Sequence, residues 1–457
     1  MKLLRKITDK KILYIFTLFI LIFMPVLKQG SFYLEKYNIL NNSDSINTAI
    51  ILYISMPFFI YIYIKNFITS KRKIDIYDYI FFVLITAGII ATILAVDKEM
   101  SLFGKSYRHE GLLSIISYYL LFITWKVEGN QKDVKNLLRV IIFMALFNCI
   151  YSFLQVYTST KLVLRYTPDM SMATGLLGNP NFFGSYIITV ISLITTKFLL
   201  NKKISIKDLI IILLLYVGLV NCQSTGPYLT YLITIIFIII YLFIKKKTSI
   251  KKVAVLLISL IIITPTLIFI NKQIFNIEKC EICDFVKVVS GKDIINDENI
   301  NNDTSINPNP YFDMYTITNG RTTIWKNSLK IVKNNLINGV GYDNFYLEYY
   351  KDVNLTEVYF MSSDGQMKAY RKYTEIVDNA HNVYLHTLVS SGLIGIVPYI
   401  ILCLLTFIKG LKSKNNLVIM LLGGFVAYSI QAFANISVVQ VAPIYYIIIG
   451  LILAINE

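Results

Sequence analysis

"DNAHNVYLHTLVSSGLIGIVPYIILCLLTFIKGLKSK", residues 378–414, lays out the plan of the chain in one segment. It opens polar, with Asp378, Asn379, His381 and Asn382. It is apolar from 383 to 408 and closes basic, with Lys409, Lys412 and Lys414. About 20 mainly apolar residues cross a bilayer as a helix. A stretch of this kind with a basic end reads as a crossing whose basic side faces the cytoplasm.

Comparable runs recur on both sides of it, at about 11–27, 47–68, 79–96, 112–125, 137–157, 183–200, 208–222, 227–244, 253–271, 416–434 and 438–455. The 457 residues are 55% hydrophobic with a mean hydropathy of +0.59, well above a soluble domain. The expectation is an all-α polytopic membrane protein of about twelve transmembrane helices. The first run follows a basic start and lacks a small-residue cleavage site, so it reads as a span and not a removed signal peptide.

The formal charge is +16, from 44 Lys+Arg against 28 Asp+Glu. Its distribution argues against nucleic acid. Basic residues gather at every second gap between runs: Lys2, Arg5, Lys6, Lys10 and Lys11, then Lys71–Lys73, then Lys202, Lys203 and Lys207, then Lys245–Lys247 with Lys251 and Lys252, then Lys409–Lys414. That alternation is the positive-inside pattern. It predicts both termini in the cytoplasm, a multi-pass protein of the cytoplasmic membrane, and contact with anionic lipid heads.

Three segments follow: spans one to nine over 1–271, a large outer loop over 272–382, and spans ten to twelve over 383–457. The loop holds 12 Lys+Arg and 15 Asp+Glu, so the basic excess is absent there. A connection of that length is functional or disordered. Residues 292–310 are Asn-rich and read as a solvated linker. Past 319 the character changes. Trp325, Leu329, Val332 and Leu336 share a helical stripe, which predicts an amphipathic helix lying on the membrane surface or on top of the bundle. Gly339 and Gly341 punctuate its end.

The chemistry-bearing residues are few. His381 abuts an apolar run beside water, where a neutral imidazole can take a proton near pH 7; the plain alternative is an interfacial anchor. His386 and His109 are the other two histidines. Of seven arginines, Arg108, Arg165, Arg321 and Arg371 fall on the outer side. Arginine matches phosphate oxygens in a two-point fork, and Arg321 precedes a helix, whose free N–H groups favour anions. The alternative for Arg321 is an anchor to lipid phosphates. In "GLLGNPNFFGSY", 175–186, Asn179 or Asn181 can cap a helix with Pro180 near its start. Cys280 and Cys283 form a CxxC with no second pair for zinc, leaving a disulfide or a thiol pair. No Asp-x-Asp, HExxH, Walker A or GxSxG motif is present.

In their order along the chain, "GKSYRHEGLLS", "GNPNFFGSY", "GRTTIWKNSLKIVKNNLINGVGYDNF" and "HNVYLHTLVSSGLIGI" resemble the O-antigen ligase and polysaccharide polymerase superfamily over about residues 100 to 400. The large loop before the last three spans is similar too. The resemblance implies a type C glycosyltransferase-like fold. It implies a metal-independent, inverting enzyme of envelope polysaccharide biosynthesis, with no cofactor. Such enzymes take glycan from an undecaprenyl-diphosphate carrier and pass it to an acceptor hydroxyl on another glycan, a lipid-linked sugar or a protein. By motif, Arg321 would hold the diphosphate and His381 would assist the hydroxyl, with Arg108, Arg165, Asn179, Asn181, Asn382 and Trp325 lining the substrates. One departure stands out: where family ligases often have Ser-Arg-Gly, this chain has Ser224, Thr225 and Gly226. The rival reading is a transporter or flippase of envelope precursors. It fits a chain with repeated halves and midplane charges, and neither is evident here.

Overall fold

The computed structural model describes residues 9–36, 47–69, 73–106, 108–158, 172–274, 283, 321–349, 351, 358–361, 367–370 and 377–455. Arg165, Arg371, Cys280 and the linker at 292–310 lie outside these. Cys283 is disulfide-bonded.

Each apolar run holds one helix: α1 (Asp9–Lys36), α2 (Ile50–Thr69), α3 (Ile76–Leu94), α5 (Leu112–Glu128), α6 (Gln131–Tyr157), α7 (Pro180–Leu200), α8 (Ile206–Asn221), α9 (Thr225–Ile244), α10 (Ile250–Gln273), α13 (Val383–Lys412), α14 (Asn416–Gln431) and α15 (Ala442–Ala454). Between them stand the short α4 (Lys98–Phe103), α11 (Arg321–Asn334), α12 (Phe345–Tyr349) and an antiparallel hairpin of β1 (Val358–Met361) with β2 (Met367–Tyr370). Among the described residues 8 helices are long and apolar enough to cross a membrane: α1, α2, α3, α6, α7, α9, α10 and α13. That is fewer than the twelve expected, because α5, α8, α14 and α15 are only 17, 16, 16 and 13 residues long.

Local chemistry starts these helices where the polar residues stand. Asp75 and Asn130 head capping boxes closed by Asp78 and Asp133, so two backbone donors at each helix start are satisfied reciprocally. Asn179 accepts from the Asn181 N–H with Pro180 next to it, as expected from "GNPN".

The packing is that of a membrane protein. The α7 helix is the axis, buried almost all round against α8, α9 and α14, while α5 packs along α15. The outer helices α2 and α10 turn most of their apolar surface outward, with Ile54, Ile64, Ile258 and Ile261 exposed. A helix apolar on every side needs lipid on the faces that protein does not cover.

At one end of the bundle, basic residues hold helix ends. Lys252 donates to the carbonyls of Leu199 and Asn201 at 2.5 and 2.8 Å, Lys409 to that of Leu453 at 2.6 Å, and Lys10 to that of Glu128 at 2.9 Å. Each satisfies a carbonyl that the helix leaves without an internal donor.

Candidate functional site

The opposite end gathers the start of α13, the start of α11, the turn between α4 and α5, and α12. Its frame is a break in α13. Gly392 has φ 61°, outside helical geometry, and the turn after α11 inserts there. Val340 N–H donates to Val389 C=O and Gly341 N–H to Ser390 C=O, both at 2.9 Å. In return Leu393 N–H donates to Leu336 C=O at 2.9 Å and Ile394 N–H to Ile337 C=O at 3.3 Å. The interrupted helix therefore regains its lost partners from another segment. A Cβ at Gly392 would overlap the backbone of Ile337, and one at Gly339 would overlap that of Ser390. Both glycines stand at positive φ. They do more than punctuate helix ends.

The same turn then grips both ends of α4, at its N-cap Asp97 and in the loop that follows it. Asn344 exchanges hydrogen bonds with the Asp97 backbone at 2.8 and 2.9 Å. The Asp343 carboxylate accepts from Lys105 N–H at 2.8 Å and from the Arg108 guanidinium at 2.6 Å. Arg108 also donates to the Asp378 carbonyl at 3.2 Å. Its guanidinium is buried and committed to these partners, so the described geometry makes it part of the frame. Lys105 sits over the Tyr346 ring, 3.9 Å from the centroid.

His381 lies in the turn that leads into α13. Its φ is 48°, the left-handed region, which costs a non-glycine residue energy unless its surroundings enforce it. They do. The Asn379 side chain accepts from His381 N–H at 3.0 Å. The Trp325 indole N–H donates to Ala380 C=O at 3.0 Å. Asn382 caps α13 by accepting from Leu385 N–H at 3.0 Å, and Val383 N–H donates to Ala432 C=O at 2.8 Å. The residue before His381, the one after it and its own N–H are all held.

Arg321 stands one helical turn from Trp325, and residues four apart on a helix are neighbours on one face. Among the described residues no carboxylate pairs with Arg321. Burial, and then the charges of Arg321 and Arg108, pull the His381 imidazole from its ordinary 6.5 down to about 4. The ring is therefore neutral at pH 7. His386 follows one turn after Asn382, its ring against Phe345 at 5.9 Å between centroids. Among the described residues its Nδ1 has no hydrogen-bond partner.

Helix α11 packs on α13 through Ile324, Ser328, Ile331 and Val332. Leu329 and Leu336, expected on its apolar stripe, are 56% and 46% exposed. Asn179 and Asn181 are engaged elsewhere: Asn179 as the α7 cap, and Asn181 accepting from Ser224 Oγ at 2.5 Å. Thr225, in place of the family arginine, begins α9.

Sequence reading passed over one connecting segment, 432–441, because it is short and apolar. Asn435 donates to the Asn181 carbonyl at 3.2 Å and to Ser185 at 2.5 Å. Ser437 donates to Glu110 at 3.1 Å and Ala432 receives Val383. The segment thus ties α7, α13 and the Arg108 turn together. Burial pushes the Glu110 carboxyl up to about 7, against the hydrogen bonds from Tyr118 and Ser437. The only sequence signal was the run of polar residues Asn435, Ser437 and Gln440 inside an apolar context.

Comparison with protein families decides what this site belongs to. The family model described as O-antigen ligase matches residues 209–400, from α8 through the His381 turn into the break of α13. Over that segment the chain is similar to the O-antigen ligase family. A comparison with curated proteins returns no match. That similarity and the long apolar helices together support a multi-pass membrane protein with a glycosyltransferase-like domain.

Proposed function

We propose that the protein transfers glycan from an undecaprenyl-diphosphate carrier to an acceptor hydroxyl at the outer face of the cytoplasmic membrane, as polymerase or ligase. In this reading twelve helices cross the membrane, the shorter α5, α8, α14 and α15 included, with both termini inside. Residues 272–382 form the outer loop, and its described helix α11 packs on α13. The basic helix-end residues support this orientation, since they share one end and the His381 turn is at the other.

The observation that carries the proposal is the clamped, left-handed His381 turn with Arg321 on the helix that clamps it. A lipid-linked donor has its tail in the bilayer and its reactive carbon at the boundary, where this turn lies. Arg321, charged at any physiological pH, faces the diphosphate and stabilises the charge that grows on the leaving oxygen. The acceptor hydroxyl oxygen bonds to the anomeric carbon. The bond from that carbon to the diphosphate oxygen breaks, and the hydroxyl proton passes to the imidazole of His381. Attack opposite the leaving group inverts the anomeric centre. Polyprenyl diphosphate is released and the proton leaves His381 to water. Trp325 and Asn382 position the histidine, and Arg108 positions the turn through Asp343 and Asp378.

The free imidazole at about 4 is a weak base. The donor's negative charges offset those of Arg321 and Arg108, so donor binding raises its basicity when a base is needed. The test is transfer from a synthetic polyprenyl-diphosphate glycan by purified protein. Wild type should release polyprenyl diphosphate only with acceptor present, and His381→Ala should not. Donor turnover by His381→Ala at the wild-type rate would remove the histidine from the mechanism.

A further inference from the structure

At the end of the bundle away from His381, a groove of about 630 Å³ opens between α6, α7, α8 and α14. Its size is that of a small-ligand site. Its lining is ordered along the helices. On α6, Lys135 and Arg139 come first and Phe143 and Leu146 follow, a spacing of three and four residues that puts all of them on one face. On α8, Lys207 precedes Ile211 in the same way. The α14 wall repeats it, with Asn416 at the helix start and Met420 one turn deeper. Polar groups therefore ring one mouth, and the walls beyond are apolar.

Some basic residues at this end, Lys10, Lys252 and Lys409, are spent on helix carbonyls. Within the groove, Lys197 is held by Asp208 at 2.6 Å, and Asn201 donates to the other oxygen of that carboxylate at 2.7 Å. That pair is neutral. Lys135, Arg139 and Lys207 remain as an exposed cluster of three positive charges. Phe143 beside them is 65% exposed, so the apolar side of the groove is open toward lipid.

We propose that this groove binds an anionic phospholipid, with its headgroup phosphate among Lys135, Arg139 and Lys207 and an acyl chain along Phe143 and Leu146. Charge and apolar wall follow each other in the order of a lipid's head and tail. Each basic residue near an anionic headgroup contributes on the order of 1 kcal/mol. With the orientation proposed above, the leaflet is the cytoplasmic one. The groove chemistry rests on the described side chains alone.

The test uses full-length protein in mild detergent, offered equal phosphatidylglycerol and phosphatidylcholine, with retained lipid counted by native mass spectrometry. Wild type should prefer phosphatidylglycerol by roughly tenfold or more. Lys135→Gln/Arg139→Gln/Lys207→Gln should lose most of that preference. Lys245→Gln/Lys251→Gln/Lys412→Gln, three exposed cations at the same end but outside the groove, should keep it. Equal loss in both triple variants would show diffuse surface charge and overturn the proposal. So would displacement of the lipid by millimolar inorganic phosphate, which would mark a free-anion site. Phe143→Trp reads the groove without removing a charge: bromine-labelled phosphatidylglycerol should quench it more than labelled phosphatidylcholine, and equal quenching would contradict the site. Lipid retention is read without any glycan, so failure here leaves the transfer reading standing, and failure of transfer leaves this one.

Discussion

Arg108 and Asp343 form an ion pair at 2.6 Å with both side chains 1% exposed, joining the turn before α5 to the turn after α11. Removing one partner of such a pair leaves an uncompensated buried charge, at a cost of about 3–5 kcal/mol. Arg108→Ala and Asp343→Ala should each lower the melting temperature of the purified protein sharply. The double variant should melt well above the sum of the two losses, since neither charge is then stranded. Additive losses would show that the two residues act separately.

Gly339 and Gly392 interlock. Gly392→Ala places a methyl group on the Ile337 backbone and forces alanine into a left-handed conformation. That strain alone is on the order of 1–3 kcal/mol, before the overlap is counted. The variant should express poorly or melt early, and glycan transfer should fall with it. Gly30→Ala, where an added methyl meets nothing within 4 Å, is the matched control and should be neutral or slightly stabilising.

The pH dependence follows from the direction of the His381 shift. Its folded value lies below the ordinary one, so the ring stays neutral to lower pH than a free histidine. The kcat/KM of the free enzyme should hold from neutrality to about pH 5 and fall near 4. A limb at 6.5 would contradict the burial described. Arg321→Gln removes one charge that holds the imidazole down, so the limb should move up as the rate drops. Linkage runs the same way. The stability contributed by neutral His381 is complete above about 6.5 and is lost as pH falls toward about 4, because the unfolded chain binds the proton first.

Trp325→Phe keeps a ring but removes the donor to Ala380 C=O, an interaction of about 1 kcal/mol. Because that bond holds the strained turn, kcat should fall several-fold while the melting temperature moves by only a few degrees and donor KM stays close to wild type. A change in KM alone would make Trp325 a substrate contact and not a positioning residue.

How far the sequence was readable can be judged from these same residues. Apolar runs and basic gaps located each long helix, and capping chemistry located the start of α7 at Asn179 and Pro180. The exposure of Leu329 and Leu336 on α11 departed from the expected stripe, because Ile324, Ser328 and Ile331 face α13 and only tertiary packing decides between two adjacent faces. The break at Gly392 was hidden in "SSGLIGI", since its compensating hydrogen bonds come from residues 336–341, far away in the chain. Arg108 illustrates the same limit: a lone arginine in a polar turn looks free until its partner, 235 residues away, is known. His381 and Asn382 stood out because polar residues against an apolar run need a local reason.

The central claim is that His381 takes the acceptor's proton while Arg321 bears the diphosphate. The most direct measurement is single-turnover transfer from a polyprenyl-diphosphate glycan by His381→Ala and Arg321→Ala, with donor binding measured in parallel. The account predicts that His381→Ala binds donor like wild type but transfers at least 100-fold more slowly, the scale of general-base catalysis. It predicts that Arg321→Ala loses both binding and transfer. Wild-type transfer by His381→Ala, in protein that binds donor and melts normally, would contradict it.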